Sequence, residues 1–288
     1  MPELPEVEVV KKTLESQIKN LTIKNIKIID KNLRYEVKKQ SLKKIIGFKV
    51  IKIKRRSKYL LFLFNKNLVM IVHLGMTGKF FFVKNNQTKS RTSFYYEINN
   101  YNEKHNRIIF ILNKNMQLIY NDIRKFGFVK VLPKNQLKNE YHLKTLGPEP
   151  LCDNYNFKYF KDYLIGKKKK IKDLLMDQKF ISGLGNIYVN EILFLSKIKP
   201  DKKVDVLNDK EIKKIIIYTK KILKKAIIFG GSSIKNFSNS SGKKGNFQET
   251  FHVYGRLGDN CSNSDCKGVI KKMSLSNRSS FFCSKCQK

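Results

Sequence analysis

The sequence lacks any long apolar run. No stretch reaches the ~18 apolar residues of a membrane span, and the N-terminus lacks the hydrophobic region of a secretory signal peptide. We therefore expect a soluble, cytoplasmic chain that has no membrane partner. At 288 residues it is long enough to bury a sizeable core and to form two domains.

Acidic residues are scarce. The chain has 23 Asp and Glu against 60 Lys and Arg, which gives a net charge of +37. This excess is more than solubility requires and indicates a polyanionic partner, most plausibly nucleic acid. Arginine is scarce too, at eight of the 60 basic residues, whereas Lys, Asn and Ile are abundant everywhere. An AT-rich genome therefore accounts for part of the charge.

Cysteines are few and unevenly placed. Of the five, Cys152 stands alone and has no assigned role, and the other four lie within the last 28 residues: Cys261, Cys266, Cys283 and Cys286. A disulfide framework is typical of small secreted chains rather than of a basic cytoplasmic one. The two pairs are separated by sixteen residues that contain β-like runs at 268–272 and 280–282. This spacing predicts one structural Zn²⁺ held by four thiolates in a small ribbon. The alternatives are free thiols, two disulfides, or His252 as a substitute ligand.

Hydrophobic periodicity predicts an α+β multidomain protein. Residues 4–19 form an amphipathic helix, because Val7, Val10, Leu14 and Ile18 share one face. Short β-like runs then follow from about 22 to 133 and predict an antiparallel sandwich. These runs are Leu60–Phe64, Leu68–His73, Phe80–Val83, Thr92–Ile98, Ile108–Leu112, Met116–Tyr120 and Phe126–Leu132.

The periodicity breaks at 143–151, and the composition then becomes helical. Helices are predicted at Phe157–Leu164, Ile171–Gln178, Ile187–Ser196 and 208–228. We predict four segments: an N-terminal catalytic β-sandwich domain at 1–134, an interdomain linker at 135–150, a helical domain at 151–250 and a zinc-finger ribbon at 251–288.

The first eight residues, MPELPEVE, carry a chemical hypothesis. If Met1 is removed, Pro2 becomes a terminal secondary amine, and α-amino groups titrate near pH ~8. Such an amine can attack an electrophilic carbon and leave an iminium, with Glu3 beside it as a proton donor or acceptor. The structural alternative is a helix start, which prolines and acidic residues also favour.

This opening resembles that of formamidopyrimidine-DNA glycosylases, the MutM-type base-excision enzymes, and further motifs follow in that family's order. In RRSKYLL (residues 55–61), the resemblance implies that Lys58 contacts phosphates of the damaged site and assists catalysis. Locally, the cations suit a solvated strand edge equally well.

Two loops match the residues with which the family fills the space left by an extruded base. In HLGMTG (73–78) and NDIRKFG (121–127) these are Met76, Arg124 and Phe126. Ile123 stands where the family usually has Pro, which removes a φ restraint. From its sequence pattern alone, the first loop is predicted to be a tight turn whose Met belongs to the core.

The second half resembles the family's helix–two-turn–helix domain, in which Asn186 binds a backbone phosphate. Asn190 replaces the usual Asp and receives no role. Tyr254, in the VYGR segment that leads into the ribbon, is assigned to DNA binding. Arg278 matches a ribbon-tip arginine that grips phosphates near the lesion, and we assign it to both catalysis and DNA binding. The first cysteine pair has four intervening residues where many relatives have two.

Residues 230–245 are rich in Gly, Ser, Asn and Lys, which is typical of a mobile linker. The resemblance implies that they include the loop that folds over the extruded base.

The resemblance therefore implies a bifunctional DNA glycosylase/AP lyase that removes 8-oxoguanine and formamidopyrimidines from damaged double-stranded DNA. Pro2 attacks C1′, and β- and δ-elimination follow. No nucleotide cofactor is implied, and a monomer is expected. Two alternatives stay open: an endonuclease VIII-like glycosylase for oxidised pyrimidines, whose members begin Pro-Glu-Gly-Pro-Glu, and a non-catalytic zinc-ribbon DNA-binding protein.

Overall fold

The computed structural model describes residues 1–84, 88–91, 101–232 and 247–288. The chain divides into two compact units: Met1–Lys144 with Phe229–Asn246 (unit 1), and Thr145–Ile228 with Phe247–Lys288 (unit 2). The predicted strand at 92–98 and most of the predicted loop at 230–245 lie outside the described residues. Within the described part, no helix is both long and apolar enough to cross a membrane.

Unit 1 begins with helix α1 (Leu4–Ile18), as predicted. Glu3 is its N-cap and forms a capping box with Glu6, so that each side chain accepts the backbone N–H of the other. Pro5 lies in the first turn, where its missing N–H leaves no helical hydrogen bond unmade. The helix buries its predicted apolar face.

The strands described in unit 1 form two antiparallel sheets. In chain order they are β1 (Ile23–Ile28), β2 (Val50–Arg56), β3 (Tyr59–Phe64), β4 (Leu68–His73), β5 (Lys79–Lys84), β6 (Thr88–Arg91), β7 (Asn106–Leu112), β8 (Met116–Asn121) and β9 (Phe128–Pro133). One sheet has the order β1-β7-β8-β5-β6 and the other β2-β3-β4-β9. Two short helices, α2 (Lys39–Lys43) and α3 (Tyr141–Lys144), complete the unit.

The core of unit 1 lies between the two sheets. Phe62 and Phe80, one from each sheet, have ring centroids 5.9 Å apart, and Val10 of α1 joins the same cluster. Because side chains alternate along a strand, Leu61 of β3 faces the other way and packs with Leu143 in a smaller cluster. The predicted sandwich is confirmed.

Unit 2 contains four α-helices and a hairpin among its described residues. They are α4 (Phe157–Leu164), α5 (Ile171–Met176), α6 (Asn186–Ser196), α7 (Asp209–Ile228), β10 (Ile270–Leu275) and β11 (Arg278–Cys283). Helix α6 is buried almost all round, as expected of a central helix. Helix α7 buries one apolar face and exposes lysines on the other.

Several elements differ from their predicted bounds by one or two residues, among them α5 and β9. Helix α5 ends two residues early, because Asp177 takes an extended conformation and its Oδ1 accepts the N–H of Lys179 at 3.0 Å. Strand β9 begins at Phe128 rather than at Phe126, so Phe126 stays in the loop. The domain bounds at 134, 150 and 250 stay predictions.

Candidate functional site

The N-terminus of unit 1 is fixed by Glu6. Its Oε2 accepts the N–H of Glu3 at 2.9 Å, and its Oε1 accepts the N–H and the hydroxyl of Ser232 at 2.8 and 3.0 Å. A Cβ on Gly231 would lie 3.0 Å from that Oε1. Pro2 and the buried Glu3 are therefore placed by side-chain contacts within the unit as well as by helix α1.

The terminal amine of the described chain belongs to Met1. Burial is the largest influence on it and lowers its pKa, whereas Glu3 and Glu6 raise the pKa by attracting the ammonium form. Lys58 and Arg124 act in the same direction as burial. Two cations and two carboxylates thus surround the point at which the chain begins.

Lys58 lies in the turn between β2 and β3 and is only 6% exposed. Arg55 fixes this turn: its Nη1 donates to the carbonyl of Ser57 at 2.9 Å, and its Nε donates to Glu8 Oε2 of helix α1 at 2.8 Å. Ser57 has a positive φ of +55, and the hydrogen bond from Arg55 to its carbonyl stabilises this conformation. The turn and helix α1 are therefore tied together through Glu8 and Arg55, a pairing that the sequence analysis did not identify.

His73, at the end of β4, is a second residue that the sequence analysis missed. It lies opposite Tyr59 in the sheet, and its Nδ1 accepts the N–H of Gly75 at 3.1 Å. Burial lowers its pKa to about 4, and Lys58 adds to this effect. The imidazole of His73 is therefore neutral at pH 7, under the electrostatic influence of Lys58. The sequence analysis used this motif only to assign Met76, because a single His at the end of a strand does not by itself indicate a function.

The predicted wedge residues lie on exposed loops of unit 1. Met76 is 39% and Phe126 42% exposed, and the Arg124 guanidinium lies 4.6 Å from the Phe126 ring centroid, at cation–π distance. The backbone N–H of Arg124 donates to Thr77 Oγ1 at 2.9 Å. The structure thus brings the two loops together.

Asp122 is fully buried and joins the two loops by hydrogen bonds. Its Oδ1 accepts from Thr77 Oγ1 at 2.5 Å and its Oδ2 from the N–H of Gly127 at 2.9 Å. A Cβ on Gly75 would lie 2.4 Å from the Phe126 carbonyl carbon, so this close approach requires glycine. Where the family's Pro would fix φ at position 123, this chain holds the loop by side-chain hydrogen bonds.

In unit 2, Arg278 lies at the hairpin tip, and Asn186, at the start of helix α6, bonds the residue that follows it. Ser276 and Asn277 have φ +47 and +58, as a two-residue type I′ turn requires, and exposed Arg278 follows them. Asn186 Nδ2 donates to the carbonyl of Ser279 at 3.0 Å.

Lys172, in helix α5, is a residue to which the sequence analysis assigned no role. Its ammonium group donates to Ser279 O at 2.9 Å and to Ser280 Oγ at 2.6 Å. Burial lowers its pKa to about 8, and Asp173 opposes this whereas Arg278 adds to it. Lys172 therefore attaches the hairpin to helix α5 directly behind Arg278.

Asn190 also holds the hairpin. Its Oδ1 accepts the N–H of Phe281 at 2.7 Å, and its Nδ2 donates to the carbonyl of Asn186 at 2.5 Å. An aspartate here would place a carboxylate oxygen against that carbonyl, so the amide suits this chain.

Glu191 holds the segment that leads into the ribbon. Its carboxylate accepts three consecutive backbone N–H groups, those of His252, Val253 and Tyr254, at 2.8 to 3.0 Å. Burial raises its pKa, and these three hydrogen bonds oppose the rise. The ring of Tyr254 packs on Phe281 at 5.4 Å.

The four cysteines converge in unit 2, and their Sγ atoms all lie within 4.8 Å of one another. Two pairs are 3.7 Å apart: Cys261 with Cys286, and Cys266 with Cys283. Tetrahedral coordination with metal–sulfur bonds of ~2.3 Å gives sulfur separations of ~3.8 Å, so the geometry fits a metal ion. No disulfide joins any of the five cysteines, and separations of 3.7 Å are well above the ~2.05 Å of a disulfide bond, which is contrary to the disulfide alternative.

The surroundings support a cation at this cluster. Burial raises the pKa of Cys261 to about 12, and the three neighbouring cysteines raise it further, so thiolates here need a positive charge. A Cβ on Gly268 would lie 2.7 Å from Cys283 Sγ. His252 is not in the cluster; its Nδ1 lies 2.9 Å from Ser262 Oγ.

Comparisons with known proteins agree with this arrangement. Residues 1–129 match the family model of the formamidopyrimidine-DNA glycosylase N-terminal domain, and residues 146–238 match that of the formamidopyrimidine-DNA glycosylase H2TH domain. The formamidopyrimidine-DNA glycosylase of Rickettsia bellii (strain OSU 85-389) is 42% identical over 288 residues, which is 100% of both chains.

Two solved structures of the Lactococcus lactis Fpg are similar over nearly the whole chain. One is a complex with DNA containing an abasic site (TM-score 0.85, 35% identity, 99% of each chain). The other is a complex of a mutant with Fapy-dG-containing DNA (TM-score 0.86, 35% identity, 100% of each chain). The resemblance found in the sequence motifs is thereby confirmed, and the chain belongs to the formamidopyrimidine-DNA glycosylase family of base-excision repair enzymes.

Proposed function

We propose that the protein is a bifunctional DNA glycosylase/AP lyase that removes oxidised purines, 8-oxoguanine and formamidopyrimidines, from double-stranded DNA. The observation that carries the proposal is the start of helix α1 in unit 1. Pro2 and Glu3 are buried there, Glu3 is the helix cap, and Lys58 helps to lower the pKa of the terminal amine. The family's oligonucleotide complexes are consistent with this substrate class.

Pro2 is the nucleophile once Met1 is removed. The groups that lower the pKa of the Met1 amine, burial with Lys58 and Arg124, would act in the same way on the Pro2 amine and favour its unprotonated form. Its nitrogen forms a bond to C1′ of the damaged nucleotide, and the glycosidic bond breaks with its electron pair going to the base, which takes up a proton. Opening of the sugar ring then leaves an iminium.

Glu3 moves the protons of this sequence. Its carboxyl is adjacent to Pro2 and held at the helix cap, so it can protonate the sugar oxygen as the ring opens. Loss of a C2′ proton then expels the 3′ phosphate, a second elimination expels the 5′ phosphate, and water releases the sugar fragment from the amine. Lys58 binds a phosphate of the damaged site and stabilises the reacting sugar electrostatically.

Met76, Arg124 and Phe126 fill the space from which the base is extruded. Their exposure and the bonds that join their two loops support this role, since a wedge has to be both accessible and held in place. Asp122 is a positioning residue in this scheme, because it bonds to both loops.

Unit 2 supplies phosphate contacts through Asn186 and Arg278, and Tyr254 supports the ribbon as well as binding DNA. One structural Zn²⁺ bound by the four cysteines would hold the hairpin, and its filled coordination leaves it no part in the reaction. A cytoplasmic location, a monomeric state and independence of any nucleotide cofactor stay predictions.

Borohydride trapping tests the proposal. The protein is incubated with a duplex that carries 8-oxoguanine opposite cytosine, reduced, and the cross-linked peptide is mapped by mass spectrometry. We expect an adduct on Pro2, which would establish lesion recognition, Met1 removal and the iminium together. An adduct on a lysine would show that this lysine, and not Pro2, is the nucleophile. Tight binding with no adduct would favour the non-catalytic DNA-binding protein. Activity retained after Pro2→Gly with Glu3→Gln would exclude the mechanism.

A lesion panel separates the proposal from the endonuclease VIII-like alternative. The excision rate is measured on matched duplexes that carry 8-oxoguanine, a formamidopyrimidine or an oxidised pyrimidine. We expect the two purine lesions to be excised faster. A preference for the pyrimidine would reverse the substrate assignment but leave the Pro2 chemistry in place.

A further inference from the structure

Two lysine-rich segments of unit 2 lie side by side. Residues 167–170, just before helix α5, run antiparallel to residues 199–203 through a bridge between Lys170 and Lys203. Their backbones are hydrogen-bonded, Ile171 N–H to Lys202 O at 2.8 Å and Val204 N–H to Lys169 O at 2.9 Å. A codon bias can enrich lysine in each segment, but the fold determines that the two are brought together.

Acidic neighbours neutralise only part of this charge. Lys169 pairs with Asp177 at 3.4 Å, Lys199 with Asp201 at 3.3 Å and Lys202 with Glu211 at 2.5 Å. Lys168, Lys170 and Lys203 are exposed. Within the described parts of the chain, no carboxylate lies at ion-pair distance from these three. We call Lys168, Lys170 and Lys203 the lysine patch.

The lysine patch shares helix α5 with the hairpin tip that carries Arg278. On one side, the first turn of α5 bonds the hairpin: Ser276 Oγ donates to Asp173 Oδ1 at 2.8 Å, and Lys172 binds Ser279 and Ser280. On the other, the N–H of Lys172 donates to Pro200 O at 3.2 Å, in the second lysine segment. The first turn of α5 is thus bonded both to the hairpin that carries Arg278 and to the segment that contains Lys203.

We propose that the lysine patch binds backbone phosphates of the DNA duplex beyond those bound by Asn186 and Arg278. The inference rests on the proposed function, because it assigns more of unit 2 to the same substrate. Lys203 and Arg278 lie on segments that are both hydrogen-bonded to the first turn of α5, and Lys168 and Lys170 lie on the segment that leads into this turn. Neutralising phosphates releases counterions, so each contact contributes to the salt dependence of affinity.

The test compares two variants that each lose three positive charges. One carries Lys168→Gln, Lys170→Gln and Lys203→Gln. The control carries Lys214→Gln, Lys221→Gln and Lys224→Gln, three exposed lysines of helix α7. The affinity of each for a 30-bp duplex with a central tetrahydrofuran abasic analogue is measured from 50 to 200 mM salt, and thermal unfolding is recorded for both.

We expect the slope of log affinity against log salt to fall by ~2.7 in magnitude for the patch variant, at ~0.9 per phosphate contact. Over the fourfold salt range this is a roughly 40-fold smaller loss of affinity than the wild type shows. The control should keep the wild-type slope, and Lys→Arg at the three patch positions should restore it. Equal slopes for the patch and control variants, with both folded, would overturn the proposal. If the wild type failed to bind the duplex, the proposed function itself would fail instead.

Discussion

The two units of this protein hold their candidate functional residues by different means. In unit 1, the residues proposed for chemistry lie on a helix start and on turns of a sandwich with a large apolar core, tied by Arg55 to Glu8 and by Asp122 to Thr77. In unit 2, Arg278 lies on a two-stranded hairpin whose apolar cluster is small and contains the four grouped cysteines. Buried polar side chains fix that hairpin to the helices. The comparison indicates that the proposed chemistry depends on the sandwich, whereas the proposed phosphate contact of Arg278 on the hairpin depends on the cysteine cluster.

Removal of the metal ion should have the largest effect, and it should affect unit 2 but not unit 1. Binding of Zn²⁺ to four-thiolate sites supplies ~10–16 kcal/mol of folding free energy in small zinc domains. We expect chelation to unfold residues 251–288 and to abolish tight DNA binding while the strands of unit 1 stay protected in hydrogen exchange. Added Zn²⁺ should restore both. If the strands of unit 1 lost their protection at the same chelator concentration, the stability of unit 1 would also depend on the metal ion.

Glu3→Gln should act on the chemistry alone. Glutamine can still accept the N–H of Glu6 at the helix cap, but it cannot exchange a proton. We therefore expect the single-turnover excision rate to fall ~10²–10⁴-fold, with little change in affinity for an abasic-analogue duplex. Glu15→Gln, at the far end of helix α1, is the control and should excise at the wild-type rate. An equal loss in both variants would point to damage to the helix rather than to lost proton transfer.

Mild acid should weaken unit 1 through His73. Its pKa in the folded state is about 4, below the ordinary value of 6.5, so the unfolded state binds the proton more readily. The contribution of neutral His73 to the free energy of unfolding is fully present above pH 6.5. It decreases as the pH falls toward 4, by up to about 3 kcal/mol. Because the chain contains no Trp, urea pulse proteolysis with mass-resolved fragments is the suitable measurement.

His73→Gln is the matched variant for that experiment. Its unit 1 fragments should lose less stability between pH 7 and pH 5 than those of the wild type. If the two proteins show the same pH dependence, other groups account for the acid sensitivity of unit 1.

The sequence predicted the elements whose signals are local. Helix α1, most strands and the cysteine cluster each follow from periodicity or spacing over a few residues, and the resemblance pointed to Lys58, Met76 and Arg278. The contacts that position these residues were not predictable, because their partners are distant in sequence. Arg55 and Glu8 are 47 residues apart, and Lys172 and Ser279 are 107. Such pairings depend on sheet register and on helix packing, which no local pattern encodes.

Glu191→Gln should give the smallest effect and a graded test of the hairpin in unit 2. One amide oxygen can still accept the N–H groups of Val253 and Tyr254, but the new NH₂ group faces the N–H of His252 and leaves it without an acceptor. An unsatisfied buried donor costs about 1–3 kcal/mol, less than loss of the metal. We therefore expect faster hydrogen exchange at 252–254 and weaker DNA binding, with excision at saturating enzyme unchanged. Exchange that also accelerated in the strands of unit 1 would contradict the separation of the two units, because Glu191 bonds only to residues of unit 2 in the described part of the chain.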